Sequence, residues 1–248
     1  MIKISIITVS YNSAGTIRET IDSVLGQDYG NVEYIIVDGL SKDGTQEIVK
    51  SYGSRISKFV SEKDKGLYDA MNKGIDMATG DVIGILNSDD LYANPKILSR
   101  ISDAFKKPSI GVVYGDLYYF RSGDPDTPKR LYKGGEFSLR RVRYGLMPPH
   151  PTFFIRKDVY LKFGKFDAQY TLSADFDLIL RLLGVHKVPF EYIPEILVKM
   201  RLGGASTSSL KRTIIMNRED VRSCKSHGVK TNLIKFYSKY LVKIINLQ

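Results

Sequence analysis

The chain has 248 residues, 43% hydrophobic and 26% charged, which excludes a disordered chain and allows one large α/β core or two small ones. No apolar run reaches the about 18 residues of a membrane span, and the opening MIKISIITVSYNS reads as a first strand rather than a signal sequence, so a cytoplasmic location is expected. The excess of 37 Lys and Arg over 27 Asp and Glu, +10 in all, favours an anionic partner: nucleotide phosphates, nucleic acid or an acidic membrane surface.

Ile4 to Val9 is β-branched and predicts a buried strand. Thr16-Ile17-Arg18-Glu19 has the spacing of a capping box, and Ile17, Ile21, Val24 and Leu25 supply the apolar stripe of the helix behind it. Tyr34 to Val37 predicts a second strand ending in Asp38; after the GLSKDGT turn, Thr45 is the expected N-cap of a helix through Val49. Phe59-Val60 predicts a short third strand. Tyr68 to Ala78 carries helical spacing through Ala70, Met71 and Ile75 and is expected to close at Gly80. Val82 to Leu86 is the fourth strand and runs straight into Asn87-Ser88-Asp89-Asp90. Alternating strands and helices predict a mainly parallel sheet, and ligands of such sheets lie beyond the strands' carboxyl ends, here Tyr11-Asn12, Asp38 and Asn87 to Asp90.

Past about residue 115 the alternation degrades: SGDPDTPKR is turn-rich, GGEFSLRRVRYG is basic, and the prolines of MPPHPTFFIR forbid a continuous helix. Phe176 and Leu178 to Leu183 predict a helix apolar nearly all round and therefore buried, although it begins with Asp175 and Asp177. The tail places Leu233, Phe236, Tyr237, Tyr240, Leu241, Ile244 and Ile245 on one helical stripe and Lys235, Lys239 and Lys243 on another face. That pattern fits equally a helix packed on the core and one lying on an anionic membrane. The expected division is a catalytic domain over 1–205, with halves 1–115 and 116–205, and a helical extension over 206–248.

Two adjacent carboxylates at a strand end repel one another, and two readings account for them. One is a turn capping a helix that starts near Pro95. The other is a site for a hard divalent cation, Mg²⁺ or Mn²⁺, which takes one or two protein carboxylates when phosphates supply the rest. The βα turns carry no G-x-G-x-x-G, and the Gly39 to Gly44 spacing imitates a P-loop only until Thr45 stands where Lys is required, so neither a dinucleotide oxidoreductase nor a P-loop phosphotransferase is supported. An Asp in a helix's first turn is favoured by the dipole whatever its chemistry, and Asp177 and Arg181, four apart, have the spacing of an ion pair. Cys224 is single and reads as an inert thiol, and His150, His186 and His227 are too dispersed for a metal cluster.

The ordered set TVSYN (8–12), IIVDG (35–39), SEKDKGLYDAMNKGIDMATGD (61–81), ILNSDD (85–90) and SADFDLILRL (173–182) resembles family 2 glycosyltransferases of GT-A fold, in particular bacterial enzymes that build cell-surface polysaccharides. The resemblance implies a nucleotide-sugar donor, a glycan or lipid-linked saccharide acceptor and no nucleic acid. By it, Thr8, Val9 and Tyr11 would cradle the nucleotide and Asp38 would bind its base, usually uracil. Asp64, Gly66, Asn72, Asn87 and Ser88 would lie along the donor. Asn87-Ser88-Asp89 stands where the family has D-x-D, which makes Asp89, helped by Asp90, the implied metal ligand. Asp175 stands in the place of the general base, with Ala174 where the family's preceding acid would be. His150, between Pro149 and Pro151, is a turn residue or a contact to acceptor or diphosphate. Two rivals remain at this point. A sugar-nucleotide nucleotidyltransferase would want a glycine- and basic-rich phosphate loop, which SYNSAGT lacks. A non-catalytic nucleotide or nucleic-acid module is suggested by the charge and 16 Tyr, but no RNA- or DNA-binding signature accompanies them.

Overall fold

The computed structural model describes residues 1–203 and 210–238. Four strands build the first half: β1 (Ile4–Ser10), β2 (Val32–Asp38), β3 (Lys58–Ser61) and β4 (Val82–Ile85). They pair in parallel in the order β3-β2-β1-β4, with Ser10 beside Asp38 and Asp38 beside Ser61 at one end. Three polar strand ends therefore lie side by side by register alone. Helices α1 (Ile17–Leu25), α2 (Thr45–Ser51) and α3 (Leu67–Met77) make the crossovers.

The chain does not change sheets after β4; it extends the same one. β5 (Leu91–Tyr92) and α4 (Ile97–Ala104) lead to β6 (Val112–Phe120), followed by β7 (Arg130–Tyr132), α5 (Leu139–Val142), β8 (Phe154–Arg156), α6 (Lys157–Phe163) and β9 (Phe190–Arg201). β8 is antiparallel to β4, β6 joins β8, and β9 runs parallel to β6 before pairing with β5. β7 takes a separate stretch of β6, Leu117 to Tyr119. The result is the expected mixed α/β architecture, a curled sheet flanked by helices whose first four strands are parallel. Gly84 lets β8 close on β4, because a Cβ there would stand 2.6 Å from the Phe154 ring.

The alternation of β1 and β2 divides the core. Ile4, Ile6, Tyr34 and Ile36 face α1 and α4, while Ile7, Val9, Ile35 and Val37 face α3 and the helix starting at Ala174. That helix, α7 (Ala174–Ile179), continues into a π-helical turn over Leu180–Val185; it is buried as its composition predicts. α8 (Leu210–Ser226) then packs on α7, with Glu219 accepting from the backbone N–H groups of Thr171 and Leu172 just ahead of it.

Several local expectations are corrected. Thr16 makes no side-chain cap, so the capping box does not form. Thr45 is the first residue of α2 rather than its cap. Gly44 occupies the cap position at φ +96°, and the Thr45 hydroxyl turns back to Asp43. α3 ends at Met77, and Gly80 instead lies against β1, its N–H donating to the Ser5 hydroxyl. The Asn87–Asp90 turn caps no helix: β5 intervenes, and α4 starts only at Ile97 with Lys96 at its cap. In the tail, residues 233–238 are helical and Phe236 is fully buried against Phe176, the ring centroids 5.9 Å apart. Leu233, Ile234 and Tyr237 of the same segment are exposed. Lys239, Tyr240, Leu241, Lys243, Ile244 and Ile245 lie outside the described residues. No helix among those described is long and apolar enough to cross a membrane.

Candidate active site

The β1 and β2 ends are knitted together before any ligand is considered. Asp38 is fully buried, and both its oxygens are taken: Oδ1 accepts from the Ser10 and Ser41 hydroxyls at 3.0 and 2.5 Å, Oδ2 from the Ser41 N–H and the Ser61 hydroxyl at 2.9 and 2.7 Å. This differs from the expectation of a side chain that reads a base. Asp38 ties the ends of β1, β2 and β3 into one platform. The side chains of Thr8 and Val9 belong to the core, and the Thr8 hydroxyl meets that of Tyr34 at 3.0 Å.

What the platform presents to solvent is Tyr11, whose ring is 68% exposed although nearby apolar side chains are buried. Beneath it lies Gly39, where a Cβ would stand 2.5 Å from Asp64 Oδ2 and 3.2 Å from the Tyr11 ring. Tyr11, Gly39 and Asp64 thus converge from the ends of three parallel strands, an aromatic face and a carboxylate around a bare backbone. Asp64 also accepts the Gly66 N–H at 2.9 Å, and Gly66, at φ +122°, turns the chain into α3. Asn72 does not join this group. Its amide donates to the Phe166 carbonyl and accepts the Phe166 N–H, at 2.9 and 3.0 Å, which pins a distant loop to α3.

At the end of β4 the two carboxylates differ. Asp90 is 1% exposed; its Oδ1 accepts the Arg201 N–H at 3.1 Å and its Oδ2 the Asn87 amide at 3.3 Å. Burial and the adjacent Asp89 charge push it well above the usual carboxylate range. Both Asp90 oxygens are thus engaged within the fold, Oδ1 by β9 and Oδ2 by its own turn. Among the described residues Asp89 has no ion pair, and burial raises it as well, an arrangement that a nearby cation would reverse. Asn87 Oδ1 is buried without a hydrogen-bond partner among the described residues. Asp89, outside any ion pair among the described residues, and the unpartnered Asn87 Oδ1 are two hard oxygen donors, and they fit a cation that completes its shell with phosphates and water. No closed cluster of three His, Cys, Asp or Glu side chains occurs among the described residues. Ser88 meets Ser13 at 2.8 Å, linking this turn to the one after β1.

Arg201 was absent from the sequence-based candidates. At the end of β9 it donates from Nε to the Asp89 carbonyl at 3.2 Å and from Nη2 to Glu19 at 2.7 Å, its guanidinium over the Phe120 ring. It holds the carboxylate turn from a position 112 residues away, and no local pattern marks it.

The third group gathers at Asp175, in the first turn of α7. Its Oδ1 accepts the Tyr68 hydroxyl at 3.0 Å, and its Oδ2 lies 2.9 Å from His150 Nδ1. Burial favours its neutral form, but His150, the Phe176 N–H and the Tyr68 hydroxyl outweigh it and hold Asp175 below the usual carboxylate range. Burial likewise opposes charge on His150, and Asp175, aided by Asp90, raises the imidazole above its ordinary value. His150 and Asp175 line one small pocket with Met71, Ile85 and Phe166, which sets them beside the end of β4. Asp177, one face round the helix, binds elements together instead. It receives the Ser223 hydroxyl and His227 Nε2 from the α8 side and the Arg181 guanidinium from its own helix.

The sequence profile described as Glycosyl transferase family 2 matches residues 5–163. An uncharacterized glycosyltransferase of Rickettsia typhi is 32% identical over 217 residues, 83% of this chain and 66% of that protein. A PGL/p-HBAD biosynthesis glycosyltransferase of Mycobacterium bovis is 32% identical over 183 residues, 71% and 68% of the two chains. The chain spans about two thirds of the length of these relatives. Among solved structures, S. aureus TarS 1-349 in complex with UDP-GlcNAc superposes with a TM-score of 0.67 at 18% identity, covering 92% of this chain and 68% of that one. The mannosyltransferase PcManGT of Pyrobaculum calidifontis, in complex with GDP-Man and Mn²⁺, gives 0.62 at 16% identity, over 89% and 64%.

Proposed function

The chain belongs to glycosyl transferase family 2, and from that premise we propose that it moves a sugar from a UDP-linked donor to an acceptor hydroxyl with inversion at the anomeric carbon. The observation that carries the reading is Asp175: a carboxylate held ionised in a pocket beside the β4 carboxyl end, where a sheet of this kind receives its ligand.

In this mechanism Tyr11 and Asp64, either side of Gly39, receive the nucleoside. The acceptor oxygen attacks the anomeric carbon as that carbon's bond to the diphosphate oxygen breaks, and the bonding pair leaves with the nucleoside diphosphate. Asp175 takes the acceptor's proton. Positive charge develops on the sugar ring as in glycoside hydrolysis, and one displacement inverts the centre. Asp89 and Asn87 Oδ1 are the residues that would hold Mg²⁺ or Mn²⁺, and such an ion supplies neutralisation of charge on the departing diphosphate. The UDP-GlcNAc complex of TarS and the Mn²⁺ complex of PcManGT support donor class and metal. The likeness of the motifs to enzymes of cell-surface polysaccharide assembly supports a glycan or lipid-linked saccharide as acceptor. The net charge of +10 supports work at the inner, anionic face of a membrane.

Asp175→Asn tests the reading. A panel of nucleotide sugars is offered with Mn²⁺, and release of nucleoside diphosphate is followed together with calorimetric binding of UDP. The variant is expected to bind UDP as the wild type does and to lose about 10²–10⁴-fold in turnover. Wild-type turnover would return Asp175 to a helix-terminus role.

A further inference from the structure

We propose that His150 is a positioning residue for transfer: its Nδ1–H and the Tyr68 hydroxyl each hold one oxygen of Asp175 and so fix the carboxylate that receives the acceptor proton. The inference rests on the reading of Asp175 as proton acceptor.

The unit is assembled from three elements that share no local sequence. His150 opens a 3₁₀ turn over His150–Thr152, framed by Pro149 and Pro151. The buried Thr152 hydroxyl fastens that turn to β6, accepting the Gly115 N–H at 3.2 Å and approaching the carbonyls of Gly115 and Pro149 at 3.1 and 2.8 Å. Tyr68 stacks on Phe166 with centroids 5.5 Å apart, and Phe166 is the residue that Asn72 clamps by its backbone. The two-way bond of Asn72 therefore acts at third hand on Asp175. A carboxylate with a single donor can rotate about χ2; one with a different donor on each oxygen cannot rotate without losing both. With the Phe176 N–H as a third donor, the carboxylate still keeps a lone pair for the incoming proton. With Nδ1 donating, the imidazole takes the tautomer or charge state that the carboxylate selects.

The charged and titratable groups around the unit define the sign of its pH dependence. Asp175 is faced by His150, by Tyr68 of α3 and by Tyr132 of β7; His150 is faced by Asp175 and Asp90. The His150 charge lowers Asp175, so its removal raises Asp175, and the loss of activity on acidification then begins at higher pH.

The experiment measures kcat and donor KM between about pH 3 and 8 for wild type, His150→Ala, His150→Asn and Tyr68→Phe, with melting curves to establish folding and Asp175→Asn alongside. His150→Ala is expected to lower kcat by about 10²-fold, the effect of a misplacement on the order of 1 Å, with donor KM unchanged. Its acid limb should move up by about 1–3 pH units. His150→Asn, whose amide can donate without a charge, should recover most of kcat while its limb stays displaced. Tyr68→Phe, lacking one neutral donor, should show a smaller displacement in the same direction and remains a test if the His150 variants do not fold. Wild-type kcat and limb in folded His150→Ala, or a loss confined to donor KM, overturns the proposal even where Asp175→Asn is inactive. Wild-type transfer by Asp175→Asn overturns instead the assignment on which it rests.

Discussion

Asp177→Ala separates the two aspartates of α7, which the sequence places in the same turn. In the wild type, Asp177 Oδ1 accepts from the Ser223 hydroxyl at 2.8 Å and His227 Nε2 at 3.0 Å, and its Oδ2 faces Arg181 Nε at 3.5 Å. Hydrogen bonds to a charged group contribute about 1.5–3 kcal/mol each. The Arg181 contact is long, and this guanidinium keeps the Phe163 and Lys165 carbonyls, so it adds little. His227 retains some exposure and can recover a water, whereas Ser223 is fully buried and cannot. The net loss is about 2–4 kcal/mol. For a chain of this size that lowers Tm by about 4–16 °C. Thermal unfolding followed by circular dichroism measures it, and turnover assayed well below the new Tm should stay near wild type. A Tm within about 2 °C of wild type, or a collapse of turnover in folded protein, would refute the division of labour between Asp175 and Asp177.

Two further outcomes follow from the donor side. Asp89→Ala should keep the fold and lose the divalent-dependent part of UDP affinity, read by calorimetry with and without Mn²⁺; equal titrations for variant and wild type would remove Asp89 from the metal. Gly39→Ala should weaken UDP binding while leaving Tm almost unchanged, because the new Cβ displaces the Asp64 carboxylate and the Tyr11 ring rather than backbone. Unaltered affinity would detach that cleft from the nucleoside.

The first four strands were legible because β-branched runs end in polar clusters, and parallel register then sets those clusters side by side. The platform was therefore foreseen, but not the roles within it. Asp38 reads as a ligand contact in the sequence because nothing local reveals that Ser10, Ser41 and Ser61 fill its lone pairs. Asp89 and Asp90 are indistinguishable as neighbours, and only the return of β9 with Arg201 encloses one of them. Asn72 sits on the polar face of α3, where its spacing shows a polar residue but not its clamp on Phe166. His150 was visible as a rigid turn and Asp175 as the candidate base, but the two lie on different elements and their pairing became visible only in three dimensions. The tail's helical spacing was ambiguous between core and membrane, and in its described portion Phe236 is buried while Leu233, Ile234 and Tyr237 are exposed. The two failed helix caps have separate local causes: the Thr45 hydroxyl accepts the Ser13 N–H and donates to Asp43, while the Thr16 hydroxyl turns to the Ser13 carbonyl at 3.4 Å.

The account's central claim, a single displacement assisted by Asp175, is tested most directly by the configuration of the released sugar. With an α-linked UDP-sugar, Mn²⁺ and water as acceptor, proton NMR from the first minutes after mixing reads the anomer before mutarotation equalises the two. The account predicts that the β anomer appears first in wild type and that Asp175→Asn releases neither at a comparable rate. First appearance of the α anomer, at a rate Asp175→Asn leaves unchanged, would contradict it.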